Sequence, residues 1–337
     1  MKAVAYRHSL PSSDPLSLID INIDVPQVSG HDLLVHVAAI SVNPVDCKVR
    51  MNVDPQGKDK ILGWDAVGTV VATGEQVSLF KVGDKVFYAG DITRSGSNAE
   101  FQLVDERIAA RKPDSLSDAQ AAALPLTSIT AWEMLFDRLD INKAGQSHPV
   151  LLVLGGAGGV GSILIQLAKT LTQATVVASA SRKESVEWIK QLGADYVINH
   201  HLPLKPQLAQ LNLSEVSHIA CTTHAHQHLP ALIDIIQPQG KLAIIEYAGP
   251  SLDIGLLKDK SLSLHWEFMF TRAKHQTPDM QQQHNLLTQI ADMVDQGLLK
   301  TTLGHHMGKI SAQNLRAAHQ LSESHQAIGK IVLEGFE

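Results

Sequence analysis

Apolar and polar positions alternate in short runs over the first third of the chain, and the period then changes. Leu33-Leu34-Val35-His36-Val37-Ala38-Ala39-Ile40, Ala66 to Ala72 and Lys85-Val86-Phe87-Tyr88-Ala89 each read as strands. Turn chemistry at Val82-Gly83-Asp84-Lys85 and breaks at Val25-Pro26 and Lys112-Pro113 separate them. The region up to about residue 125 is therefore β-rich. Beyond it, Val150-Leu151-Leu152-Val153-Leu154 is an unbroken apolar run, the pattern of a parallel strand buried on both faces. Val160, Ile163, Leu164, Leu167, Ala168 and Leu171 follow at spacings of three and four, one stripe of an amphipathic helix. The alternation continues with a strand over Ala174 to Ala180, a helix over Lys183 to Leu192, and strands at Tyr196 to Ile198, Ser217 to Cys221 and Lys241 to Ile245. Ser261 to Trp266 supplies a sixth strand. Strand and helix alternating with right-handed crossovers predict a parallel, doubly wound sheet. After about 272 the pattern predicts helices over Met280 to Gln296 and Ala312 to Ser324, and a last strand, Lys330-Ile331-Val332-Leu333.

With 337 residues and 44% hydrophobic content, two domains are expected and disorder is excluded as the main state. A net charge of −6 offers no electrostatic footprint for nucleic acid or anionic membrane, which leaves a small-molecule ligand. Cys47 and Cys221 are the only cysteines, too few for a disulfide framework or a four-cysteine zinc lobe. Met1-Lys2 leads into no apolar leader, so a reducing, cytoplasmic setting is expected. Val150 to Ala168 is uncharged and long enough to cross a bilayer, but Gly155, Gly156, Gly158, Gly159 and Gly161 break it into strand, turn and helix.

Gly156-x-Gly158-x-x-Gly161 follows a predicted strand and opens a predicted helix, the context in which this spacing points to a dinucleotide. The glycines permit a tight turn, backbone approach to a pyrophosphate and close helix packing, while the helix N-terminus supplies free N–H groups. About twenty residues on, an acidic side chain would select NAD. Here the strand ends Ser179-Ala180-Ser181-Arg182-Lys183, with two hydroxyls and two cations and no carboxylate, which favours the 2′-phosphate of NADPH.

Several further motifs occur in order along the chain. They are Ser41-Val42-Asn43-Pro44-Val45-Asp46, Ile61-Leu62-Gly63-Trp64-Asp65-Ala66-Val67-Gly68, Val82 to Phe87, Ala122 to Trp132, Leu192-Gly193-Ala194-Asp195 and Gly329-Lys330-Ile331-Val332-Leu333. With the glycine turn, they make the chain resemble the zinc-less quinone oxidoreductase branch of the medium-chain dehydrogenases/reductases. The resemblance implies a GroES-like β-barrel catalytic domain built from both chain ends (1–126 and 272–337), a Rossmann cofactor domain inserted over 127–271, and a cleft between them for nicotinamide and substrate. It further implies that Asn43 and Thr127 lie near the nicotinamide and that Gly158, Gly159 and Val160 form the pyrophosphate turn. Ser179, Arg182 and Lys183 would take the 2′-phosphate, with Ser181 beside them. His200 would lie at the adenine, and Thr222, Ile245 and Lys330 would make further cofactor contacts. A homodimer is implied as well, through an edge near Ser261 to Trp266.

In zinc-dependent relatives three ligands are needed, and the resemblance places them at Asn43, Trp64 and Leu126 or its neighbour, none of which ligates as required. No metal is therefore expected. His224-x-His226-x-His228, His200-His201 and His305-His306 read as loop or helix histidines in preference to a metal site. Without a metal, the accessible chemistry is hydride delivery from NADPH to an acceptor that is already electrophilic, a quinone or an α,β-unsaturated carbonyl. Asn43 is the first positioning candidate, with a turn-forming role before Pro44 as its alternative. Tyr88 is a candidate proton donor or oxyanion contact, with packing as its alternative, and Trp64 walls the cleft. The competing functions are a zinc-dependent alcohol dehydrogenase and a non-catalytic NADPH-binding sensor or structural protein.

Overall fold

The computed structural model describes residues 1–142, 148–249 and 251–336. The chain divides into two compact units, Met1–Ile129 with Phe270–Glu337, and Thr130–Met269. The expected boundaries fell at 126/127 and 271/272.

The unit built from both chain ends is a β structure. Its main sheet runs in the order Leu303–His306, Lys330–Glu334, Asp32–Val42, Asp65–Thr73, Lys85–Tyr88 and Ala109–Arg111, and Phe101–Asp105 also pairs with Asp32–Val42. Asp32–Val42 is the spine. One edge pairs with Asp65–Thr73, and the other is shared, its first half with Phe101–Asp105 and its second half with Lys330–Glu334. The antiparallel register Ile331↔Val42 and Val332↔Ser41 brings the chain end beside the Ser41–Asn43 segment. A second sheet orders Ile19–Asn22, Lys2–Tyr6 and Lys60–Ile61.

The Thr130–Met269 unit carries six parallel strands in the order Tyr196–Ile198, Thr175–Ser179, Val150–Leu154, Val216–Cys221, Ile236–Ile244 and Ser263–Trp266. This is the doubly wound sheet expected, with strand direction of winding reversing between Val150–Leu154 and Val216–Cys221, where ligands of such folds bind. Leu151, Leu152 and Val153 are fully buried, as an apolar run at the sheet centre must be. The fifth strand begins at Ile236, earlier than its apolar pattern predicts, because Gln237-Pro238-Gln239 interrupts the run. The sixth starts at Ser263.

This unit also buries a polar cluster close to both points where the chain enters and leaves it. Glu133 opens a π-helical turn, Glu133–Arg138, and Glu267 directly follows the strand Ser263–Trp266. The Arg138 Nε donates to Glu267 at 2.9 Å, and its guanidinium lies 3.5 Å from Glu133. The two carboxyl groups thus share one guanidinium, and the charge of Glu133 opposes ionisation of Glu267. Burial first, and then Glu133, hold the Glu267 carboxyl far above its ordinary value, so the folded chain keeps a proton that the unfolded chain loses. Stability contributed here is complete below the ordinary carboxyl range and is lost as pH rises through neutral into the alkaline range. Glu267→Gln is expected to raise the melting temperature more at pH 8 than at pH 5, measured by calorimetry across that span.

Candidate functional site

The strand Val150–Leu154 ends at Gly155, whose φ of +83° lies in the left-handed region; a Cβ there would stand 2.6 Å from Thr222 Oγ1. At Gly161 a Cβ would meet the Gly155 carbonyl oxygen at 2.4 Å, so the helix Gly159–Leu171 seats against the turn only because that residue is glycine. Gly156 is tight against Ala178, at 3.1 Å. Gly158 is different, because a Cβ would find only the Gly155 carbonyl oxygen at 3.5 Å and the space before it is open. Gly158 is the N-cap, and the amides of Gly159, Val160 and Gly161 in the first helical turn have no intrahelical acceptor. Together they form an anion cradle at the positive end of a helix. Side chains from both flanking strands brace it. Thr222 Oγ1 donates to the Leu154 carbonyl at 2.8 Å, and Ser179 Oγ accepts from the Gly155 amide at 3.0 Å.

Ser179 is thus buried in the support of the turn, while Ser181, Arg182 and Lys183 are exposed just beyond the strand end. Arg182 is the N-cap of the helix Lys183–Gln191, and Lys183 lies 4.0 Å from Glu187. Ile245 is half-buried just past Ile236–Ile244. His200 is half-buried too, its ring 4.4 Å from that of His201 and 6.1 Å from that of His228. Burial, with three neighbouring histidines, pushes it down to about 4, so the ring is neutral at pH 7. His224 sits at φ 48°, and His226 and His228 enter the helix Ala225–Ile235. The ring of His228 lies near that of His200, and the rings of His224 and His226 lie 6.4 Å apart.

In the unit built from both chain ends, a buried polar network centres on Asp65, which is 0% exposed. Its Oδ1 accepts from the Leu126 amide at 2.7 Å. Its Oδ2 accepts from Ser41 Oγ at 2.7 Å, Asn43 Nδ2 at 2.8 Å and Lys330 Nζ at 3.0 Å. Lys330 also donates to Asn43 Oδ1 and, at 3.2 Å, to the Val42 carbonyl. The three donors of its ammonium are thereby spent on this unit, which leaves none for the coenzyme contact that the resemblance assigns to Lys330. Asn43 is held by its main chain as well, its amide donating to Asp46 Oδ2 at 2.5 Å. Burial above all pushes the Asp46 carboxyl up to about 7. Thr127 is buried beside this network, its hydroxyl donating to the Leu124 carbonyl at 3.1 Å.

Trp64 and Tyr88 are enclosed in the same unit. Trp64 packs edge-on against Phe270, ring centroids 5.8 Å apart. Ala66 pairs with Tyr88, and a Cβ on Gly90 would stand 3.6 Å from Trp64 Cδ1, so both aromatic residues belong to one stretch of sheet. Trp64 Nε1 and the Tyr88 hydroxyl are buried without a hydrogen-bond partner among the described residues. Burial raises the phenol above its ordinary value, so Tyr88 keeps its proton.

A catalytic zinc does not fit the positions that the resemblance assigns to it. Asn43 is engaged at both amide atoms, Trp64 offers only an N–H donor, and Leu126 has no side-chain ligand atom. Among the described residues one set of three donors lies within 4.8 Å of one another, Cys47, His319 and Glu323. Arg50 already fills that set. Its Nε donates to His319 Nδ1 at 3.2 Å, and its guanidinium pairs with Glu323. Burial pushes the Cys47 thiol up to about 12, so it is protonated beside the Arg50 pairings. The cluster joins the helices Pro44–Asn52 and Ala312–Glu323.

The sequence reading missed two elements of these sites. Asp65 carries the network but stood out only as part of a motif. Gly155 makes the turn but lies one place before the fingerprint, and its signal was the Gly155-Gly156 pair at a strand end.

Residues 29–114 match the family model described as alcohol dehydrogenase GroES-like domain, and residues 192–333 that described as zinc-binding dehydrogenase. The chain is 40% identical over 336 residues to a zinc-type alcohol dehydrogenase-like protein of Staphylococcus epidermidis, covering 99% of both. It is 50% identical, with a TM-score of 0.97, to a solved chain from Rhizobium etli CFN 42 provisionally described as a zinc-dependent alcohol dehydrogenase, covering 100% of this chain and 98% of that one. Over 54% of its length it is 40% identical to 48% of the chloroplastic NADPH-dependent alkenal/one oxidoreductase of Arabidopsis thaliana.

The two glycines of the turn separate packing from ligand approach. Gly161→Ala is expected to destabilise the protein by about 1–3 kcal/mol, the usual cost of overpacking. Gly158→Ala should leave the melting temperature nearly unchanged and weaken nicotinamide coenzyme binding, read by fluorescence titration alongside thermal melts.

Proposed function

The chain belongs to the medium-chain dehydrogenase/reductase superfamily, and from that membership we propose an NADPH-dependent reductase that delivers hydride to quinones or α,β-unsaturated carbonyls without catalytic zinc. The observation that carries this reading is Lys330, whose ammonium takes up the acceptor atoms of Asn43 and Asp65 where a metal-dependent site needs free ligands. An ammonium with all its donors committed has no open position at which to polarise an alcohol or carbonyl oxygen. The acceptor must then be electrophilic before it arrives.

Gly158, Gly159, Val160 and Gly161 would hold the coenzyme's pyrophosphate, with Gly156, Ser179 and Thr222 supporting the turn. Ser181, Arg182 and Lys183 offer hydrogen bonds and charge to a 2′-phosphate, and His200 and Ile245 lie at the carboxyl ends of the strands. When bound, the reduced coenzyme supplies the hydride. Asn43 and Thr127 are assigned to its ring, and Trp64 to the wall against the acceptor. Tyr88 retains its proton, so its unpartnered hydroxyl is suited to donate a hydrogen bond to oxygen as negative charge develops there. Similarity to an NADPH-dependent alkenal/one oxidoreductase supports the coenzyme and the acceptor class together.

A cytoplasmic homodimer completes the proposal. Ser263–Trp266 is an edge strand of its sheet, and Trp266 and Phe268 are 54% and 42% exposed beside it. Among the described residues no helix is long and apolar enough to cross a membrane. Sedimentation should give twice the 36.5 kDa chain mass, and Trp266→Lys should shift it toward the monomer.

The activity itself is tested by NADPH oxidation against quinones, enones and aldehydes, with metal content measured on the same sample. Turnover with quinones or enones and no stoichiometric metal is expected. Stoichiometric zinc with loss of activity on chelation would favour an alcohol dehydrogenase, and NADPH binding without any oxidation would favour a sensor. Arg182→Ala should weaken NADPH by about 1.5–3 kcal/mol, the range of a charged hydrogen bond, and leave NADH nearly unaffected; equal losses would remove Arg182 from the 2′-phosphate.

A further inference from the structure

We propose that Asp65 and Lys330 are positioning residues that fix the side-chain amide of Asn43 in the one orientation the reaction uses. An asparagine amide has two nearly isosteric orientations, and hydrogen-bond partners decide between them. Lysine only donates, so the oxygen of Asn43 must face Lys330. A carboxylate only accepts, so the nitrogen must face Asp65, which it does at 2.8 Å. The orientation is therefore set by chemistry on both sides at once.

The two partners are themselves immobilised. Asp65 is anchored by the Leu126 amide and the Ser41 hydroxyl, both at 2.7 Å, and Lys330 by the Val42 carbonyl at 3.2 Å. Asn43, Asp65 and Lys330 are 1%, 0% and 3% exposed, so water does not compete for these bonds. A buried ion pair is seldom needed for stability, because apolar residues of similar volume serve as well. What the charged pair adds, and an apolar pair cannot, is a directional hold on a neighbouring amide.

The proposal rests on the function above for one point, that Asn43 meets the reactive ring. Each single substitution would strand a buried charge, so the decisive variant is the double D65N/K330M, which strands none. Its kcat for NADPH oxidation should fall by about tenfold or more, as expected for a misplaced reacting group, while the Kd for NADPH changes by less than about threefold. The side-chain amide resonances of Asn43, whose burial should protect them from exchange in the parent protein, should shift and lose protection. Should the double variant not fold, Asp65→Glu keeps the charges and displaces the acceptor, with the same two expectations.

A folded variant whose kcat stays within about twofold of the parent, whose kcat and affinity fall together, or whose Asn43 resonances do not move would overturn the proposal. A parent protein that neither binds nor oxidises NADPH would remove the functional reading instead. In that case the resonances of the free protein still decide whether Asp65 and Lys330 hold the amide.

Discussion

A carboxylate with no access to solvent must be met by donors from the protein itself, and Asp65 imposes that requirement on the whole unit built from the chain ends. Its four donors come from Ser41, Asn43, Leu126 and Lys330, the last of them 265 residues away in sequence. The chain end returns to satisfy it. Pairing of Lys330–Glu334 against Asp32–Val42, with Ile331 opposite Val42, is the register that delivers Lys330 to Asn43. A one-residue slip would send that side chain to the other face of the sheet and leave a charge buried on each side. Backbone register and polar chemistry thus enforce one another.

In the Thr130–Met269 unit the constraint is steric. Gly161 lets the helix approach the turn more closely than any side chain permits, and Gly155 adopts a backbone conformation that others avoid. Before Gly158 the space is open. Two hydroxyls, Ser179 and Thr222, hold the turn from the strands on either side, so the cradle is formed before any ligand reaches it. A preformed cradle avoids the ordering cost that a flexible loop would incur on binding.

Features that lie close together along the chain were legible in the sequence, and those that depend on distant partners were not. Val150–Leu154 has the bounds its apolar run predicts, because a strand at a sheet centre carries its own signal, and the edge strand Tyr196–Ile198 keeps the bounds of its short apolar run. Ile19–Asn22 and Leu303–His306 are half exposed and lack that signal, and both escaped. The helix Pro44–Asn52 escaped for another reason. The face it buries is Asp46, Cys47 and Arg50, which no search for an apolar stripe can find. Arg138 and Glu267 are 129 residues apart, and nothing local marks them as partners. At the turn, contiguity made the glycines readable, while the buried role of Ser179 emerged only with the Gly155 amide against it.

The zinc in the family's name and the residues of this chain then differ for a definite physical reason. A metal site gathers electron-rich atoms around a divalent cation and keeps one position open for a reacting oxygen. Here the electron-rich atoms are gathered around a covalently attached ammonium, which is never lost to a chelator or to dilution. The exchange has a chemical consequence. Every hydrogen of that ammonium points at protein, so its charge organises the site without acting on a substrate oxygen. The neutral donor that remains in the same unit is the Tyr88 phenol, which burial keeps protonated and which has no hydrogen-bond partner among the described residues.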